Sequence, residues 1–92
     1  MRKISLSKHA ASFLKQLPAK HARQIAEKIH LLAEDPDRLP SEALKGYAPM
    51  RRLRAGEYRI VFIVGEGAIQ IRLIGKRNDD EIYKALERTG KK

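Results

Sequence analysis

From Met50 to Ile74 apolar side chains return at about every second position, in three runs separated by Gly56-Glu57 and Gly65-Glu66-Gly67. A period of two belongs to a strand with one face buried, and glycine-bearing joins this short leave room only for tight hairpins. Three successive antiparallel strands are therefore expected, Met50–Ala55, Tyr58–Val64 and Ala68–Ile74. Upstream the spacing changes. Ala10, Phe13, Leu14 and Leu17, and then Ala22, Ile25, Ala26, Ile29, Leu32 and Ala33, recur at helical intervals. Ser7 suits the N-cap of the first helix, and Pro18 suits the first turn of the second. Arg2-Lys3-Ile4-Ser5-Leu6 alternates and reads as a short strand. Two prolines within Asp35–Ser41 bar a helix there and mark a loop.

After Ile74, Gly75-Lys76-Arg77-Asn78 reads as a turn that closes the sheet. Asp79-Asp80-Glu81 then opens a last helix through about Arg88, since acids on a first turn favour the helix dipole. The expected order is β-α-α-β-β-β-α. This is an α+β fold: an N-terminal strand and two antiparallel helices packed on a twisted, mainly antiparallel sheet, with a short C-terminal helix. The 92 residues suffice for one domain, 1–92, with one core. The sheet's edges and open face remain for a ligand.

The hairpin carries an anomaly. Four arginines, Arg51, Arg52, Arg54 and Arg59, fall within nine positions. In a period of two, Arg59 shares a face with Val61 and Ile63, while Tyr58, Ile60 and Phe62 share the other. An unpaired cation at the head of an apolar row is costly. Either a salt bridge to Glu57, Asp79 or Glu81 relieves it, or a phosphate does, matched by the planar donor fork of arginine. Arg77, beside Lys76 and ahead of a helix start, offers a second anion site, unless Asp79, Asp80 and Glu81 pair with both cations. Tyr83 reads on position alone as a packing ring.

Charge supports an anionic partner. The formal net charge is +9. Residues 45–92 hold twelve Lys/Arg against six Asp/Glu, and so carry +6 of it. The absence of cysteine removes disulfides, thiol chemistry and cysteine-ligated metals. His9, His21 and His30 all fall in the helical part, at spacings that form no metal pair, and each reads as a surface residue. No metal or cofactor is expected. The basic half lacks histidine, so acid–base chemistry near pH 7 there falls to Arg, Lys and Tyr, whose reference pKa values lie far above 7. No apolar run is long enough to span a membrane and no secretory signal opens the chain, so a cytoplasmic location is expected.

Taken in order, Leu44-Lys45-Gly46, Arg52-Leu53-Arg54, Gly56-Glu57-Tyr58-Arg59-Ile60-Val61-Phe62 and Ile74-Gly75-Lys76-Arg77, with Tyr83 six residues on, resemble the RelE/ParE toxin superfamily over essentially the whole chain. The resemblance implies a toxin of a type II toxin–antitoxin module with an acidic, partly disordered antitoxin as partner. Its RelE-like branch cuts mRNA in the ribosomal A site, and its ParE-like branch inhibits DNA gyrase. In the RelE-like branch the residues matching Arg59, Arg77 and Tyr83 belong to the active site, with Arg52 on the preceding strand contributing. Met50 and Arg51 depart from the lysine-rich pattern of that branch. The resemblance thus implies an endoribonuclease dependent on the ribosome, with Lys45, Arg51, Arg54, Arg72 and Lys76 binding RNA phosphates. A gyrase inhibitor on the same fold is the alternative.

Overall fold

The computed structural model describes residues 2–76 and Lys84. The expected final helix and the tail lie, Lys84 apart, outside the described residues. Strand β1 (Lys3–Leu6) leads into helices α1 (Lys8–Gln16) and α2 (Ala19–Glu34), followed by β2 (Ser41–Ala43), β3 (Arg51–Ala55), β4 (Tyr58–Val64) and β5 (Ala68–Lys76). The five strands form one sheet in the order β1-β5-β4-β3-β2. β1 runs parallel to β5, and the other neighbours are antiparallel.

Ser7 caps α1, its hydroxyl accepting the Ala10 amide at 3.0 Å. Pro18 stands one residue outside α2, as its N-cap, where its fixed φ and missing N–H cost nothing. α2 stops at Glu34, ahead of Pro36. Ala10 from α1 and Ile25, Ile29 and Leu32 from α2 are buried against Leu53, Ala55, Tyr58, Ile60, Phe62, Ile69, Ile71 and Ile74 of the sheet. Ala26, which shares the helical spacing, is exposed. The helix layer therefore covers one sheet face, and that face holds the main core. Burying these branched and aromatic side chains supplies about 1.5–3 kcal/mol each, which offsets the entropy of ordering the chain.

Two features depart from the sequence reading. The first is β2, which begins at Ser41, read as the end of the loop, and for which the sequence reading expected no strand. Its Ser41, Glu42 and Ala43 pair with Leu53, Arg52 and Arg51. Three residues are too few for alternation to show, and Pro40, lacking an N–H, bounds the strand. The second is β5, which runs on through Gly75 and Lys76 instead of turning. These residues pair with Arg59 and Tyr58. The β4–β5 register shifts at Val61/Phe62, where Val61 faces Leu73 and Phe62 faces Ile71, so Arg72 is the additional residue on β5.

The second face of the sheet is only partly open. Leu44 and Met50, flanking the connection from β2 to β3, pack with Val61 and Leu73, and Tyr47 and Ile63 lie against them. β4 is thereby buried on both faces along Ile60–Phe62. Toward the β3–β4 turn this face instead carries Arg54, which is exposed, and Arg52 and Arg59, which are half-buried. His21 also departs from expectation. It is half-buried, with Nδ1 2.7 Å from the hydroxyl of Tyr58. His9 and His30 are exposed. Neither described helix is long and apolar enough to cross a membrane.

Candidate functional site

The cross-strand register assembles the cations. Residues directly opposite on antiparallel strands share a face. Arg54 faces Arg59, Arg59 faces Gly75, and Arg52 faces Val61 one step along. Arg52, Arg54 and Arg59 therefore stand together on the second face at the end nearest the β3–β4 turn, and Glu42 joins them opposite Arg52. Arg59 shares its face with Val61 and Ile63, as its spacing predicts.

Two local details hold this arrangement. Gly56-Glu57 joins β3 to β4 in two residues, with Ala55 facing Tyr58. Gly56 has φ +62° and no other residue type in the described chain has positive φ, the pattern of a type II′ hairpin turn. The Arg59 guanidinium donates from Nη1 to the Tyr58 carbonyl at 3.1 Å, which folds its stem back toward the turn. Tyr58 itself is anchored in the main core, edge-on to Phe13 and His21.

The Arg52 guanidinium donates to Oε1 of Glu42, and the two form an ion pair. That hydrogen bond and the charge of Arg52 hold the Glu42 carboxyl below the usual carboxylate range, and Arg54 and Arg59 add to the effect. Glu42 is therefore ionised at neutral pH and lies within the field of all three arginines. A cleft of about 460 Å³ opens beside them at the sheet edge, lined by Lys28, Ser41, Glu42, Arg52, Arg54 and Gly56 among others. It forms because β2 reaches only as far as Leu53, leaving Arg54 and Ala55 of β3 without a β2 neighbour.

The other sequence candidates fall elsewhere. Arg51 faces Phe62 on the helix side. Its Nε and Nη2 donate to the hydroxyl and carbonyl of Ser41 at 2.8 and 3.0 Å, so it ties β2 to β3. Arg72 is half-buried at the register shift, its carbonyl engaged by the Ser7 hydroxyl. Lys76 is exposed at the end of β5, opposite Tyr58 and so on the face away from Arg59. Lys45 is exposed in the turn after β2. Arg77 and Tyr83, with Asp79 and Glu81, lie outside the described residues. Glu42 carries no signal in the sequence, because its place depends on a strand pairing that its three-residue element does not announce. Among the described residues no group of three His, Asp or Glu side chains is placed to hold a metal ion.

Such a surface can bind a polyanion along its length. Three rigid donor forks lie on neighbouring strands, and two of them face each other, where like charges are destabilising. A carboxylate sits among them that can accept a proton.

Comparison with known proteins places the chain. Residues 4–81 match the profile of the ParE toxin of the type II toxin–antitoxin system parDE. No curated protein sequence matches. Among solved structures, a substituted form of the Escherichia coli toxin RelE in its free state superposes with a TM-score of 0.75 at 22% identity, covering 96% of this chain and 97% of that one. The archaeal RelE–RelB complex from Pyrococcus horikoshii OT3 gives 0.70 at 24% identity, over 84% and 96% of the respective chains. The RelB–RelE antitoxin–toxin complex from Methanococcus jannaschii gives 0.67 at 25%, over 88% and 96%. These structures share the helix pair on a mixed sheet. With the profile running from β1 past the end of β5, the chain belongs to the ParE toxin family of type II toxin–antitoxin systems, within the RelE/ParE superfamily.

Proposed function

We propose that this toxin is a ribosome-dependent endoribonuclease that cuts mRNA in the A site, with Arg52, Arg54 and Arg59 as its phosphate-binding face. The observation that carries the reading is the direct opposition of Arg54 and Arg59. Two guanidinium-bearing positions directly opposite each other, with Arg52 one step along, concentrate positive charge at one place on the sheet. An RNA backbone crossing β3 and β4 meets that concentrated charge.

In the proposed reaction the 2′-hydroxyl attacks the adjacent phosphorus and the 5′-oxygen leaves, giving a 2′,3′-cyclic phosphate and a 5′-hydroxyl. Arg59 holds the non-bridging oxygens as negative charge builds on them, which fixed donors do best. Glu42, ionised and within the cluster, accepts the 2′-hydroxyl proton. Arg77 and Tyr83 complete the site on the strength of the sequence resemblance, Arg77 as a second hydrogen-bond donor to the phosphate and Tyr83 in stacking or as proton donor to the leaving 5′-oxygen, which otherwise takes its proton from water. The described cluster holds no histidine to exchange protons near neutral pH, so the isolated chain is a weak nuclease. The ribosome supplies orientation, which contributes much of the missing rate. Lys45, Arg51, Arg72 and Lys76 bind rRNA or mRNA phosphates in salt-sensitive contacts outside the centre.

The partner in the cell is a cognate antitoxin, as in the RelB complexes of the structural neighbours. An acidic segment that folds on binding complements the arginine face. The deciding experiment is primer extension on a reporter mRNA, with purified chain, with and without programmed 70S ribosomes, beside Arg59→Ala and Arg77→Ala. The expected result is cuts that need the ribosome and vanish in both variants. The profile match to ParE favours one second reading, a gyrase inhibitor that cuts no RNA. Intact mRNA together with blocked supercoiling by purified gyrase would select it.

A further inference from the structure

The Glu42 carboxylate sits on Arg52, where an RNA strand crossing the arginine face would place a phosphate. Its geometry is that of a substitute ligand. Glu42 approaches Arg52 from the facing position on the neighbouring strand and takes a guanidinium N–H on Oε1. A carboxylate offers the arginine fork the same pair of anionic oxygens that a phosphodiester does. The pair is also placed for exchange. The Glu42 side chain is 65% exposed and that of Arg52 28% exposed, at the edge of the sheet and on the wall of the cleft. Ion pairs so exposed contribute little to stability, so little is lost when one anion replaces another.

We propose that Glu42 is an internal competitor for the Arg52 phosphate site, displaced from the guanidinium when an RNA strand docks. The inference rests on the nucleic-acid reading of this face. Two consequences follow from the charge arrangement. A lone phosphate exchanges one anion for another at Arg52 and gains little, whereas a strand that also reaches Arg54 adds a contact beyond that exchange. The site therefore selects a continuous backbone over a mononucleotide. In addition, the influence that lowers the Glu42 pKa most is its bond to Arg52. Docking that breaks this bond returns the carboxylate toward ordinary basicity, so the substrate itself prepares the base.

A simpler role for the pair is a clip that fastens β2 to β3. The two roles predict opposite effects on binding. The test is fluorescence anisotropy of an uncleavable 2′-O-methyl single-stranded RNA oligonucleotide over a salt series. It uses the full chain, Glu42→Gln, Glu42→Ala, Arg52→Gln and the Glu42→Gln/Arg52→Gln double variant, each first checked for folding by thermal melting. Exchange predicts that Glu42→Gln and Glu42→Ala bind about three- to tenfold tighter at low salt. It also predicts a slope of log K against log salt steeper by about 0.7, the share of one phosphate on a single strand. The Glu42→Gln gain should be absent in the Arg52→Gln background. Unchanged or weaker binding by both Glu42 variants overturns the proposal and leaves the clip. Because the oligonucleotide cannot be cut, the outcome is separable from the nuclease reading. Tighter binding by the variants without ribosome-dependent cleavage by the wild type retires only the nuclease reading. Cleavage with unaltered affinity retires only the exchange. Absence of binding by every form counts against both.

Discussion

The Ser7 hydroxyl donates to the carbonyl of Arg72 at 2.6 Å while accepting the Ala10 amide at 3.0 Å. One side chain thus caps α1 and fixes that helix to β5 at the residue where the β4–β5 register shifts. Ser7→Ala removes the cap and leaves the Arg72 carbonyl short of a donor. The expected loss is about 1–2 kcal/mol, measured by urea denaturation. Ser7→Thr, which keeps the hydroxyl, should recover most of it.

Gly56 occupies a turn position whose backbone demands glycine. At φ +62° any Cβ is strained, and an added Cβ would also stand 2.6 Å from Nε2 of Gln24. The Gln24 amide end can move aside, so backbone strain outweighs the contact. Gly56→Ala is expected to cost about 1–2 kcal/mol in urea denaturation. Gln24→Ala in the same background should change that cost little. If it removes most of the cost, the clash with Gln24 rather than the backbone is responsible.

Arg59→Ala separates chemistry from folding. Arg59 is half-buried and donates to the carbonyl of the residue next to it, so its loss opens no cavity in the main core. The variant should still melt cooperatively as a folded protein, while the proposed ribosome-dependent cleavage falls about 100- to 1000-fold, the usual effect of deleting one donor to a developing oxyanion. A large drop in melting temperature would instead assign Arg59 a structural role.

Glu42 sets an acid dependence. Its carboxyl titrates below the ordinary value of 4.5, chiefly through its hydrogen bond to Arg52. A group whose pKa is lower in the folded chain adds stability above its unfolded pKa and loses it as pH falls through the folded one. The wild type should therefore lose its small advantage over Glu42→Gln as pH is lowered through and below the ordinary value of 4.5, as followed by paired thermal melts. The effect should shrink in high salt, because the pair is exposed. Parallel curves for the two proteins across that range would show that the pair contributes nothing to folding.

Tyr58→Phe tests the His21 contact. Tyr58 is buried with its hydroxyl 2.7 Å from Nδ1 of His21. Loss of the hydroxyl should cost about 0.5–1.5 kcal/mol in urea denaturation without altering RNA binding, since the contact lies on the helix face. Weaker RNA binding would tie the helix layer to the arginine face.

The sequence by itself determined whatever depends on neighbours along the chain. The 3.6-residue spacing of Ala10–Leu17 and Ile25–Ala33 marked both helices, and alternation across Met50–Ile74 marked three strands and the two faces of Tyr58–Ile63. That Arg52, Arg54 and Arg59 would share a surface was half legible, because a period of two gives the face of each residue within its own strand but not the register between strands. Only the tertiary structure set Arg54 opposite Arg59, turned Arg51 to the helix side against Ser41, and extended β5 through Gly75 to meet Arg59. Glu42 was wholly a matter of tertiary structure. Ser41-Glu42-Ala43 is a strand because the edge of β3 offers it hydrogen-bond partners, and three residues carry too little pattern to signal that beforehand. Local spacing is written in the chain, whereas the pairing of one strand with another depends on how the whole sheet closes.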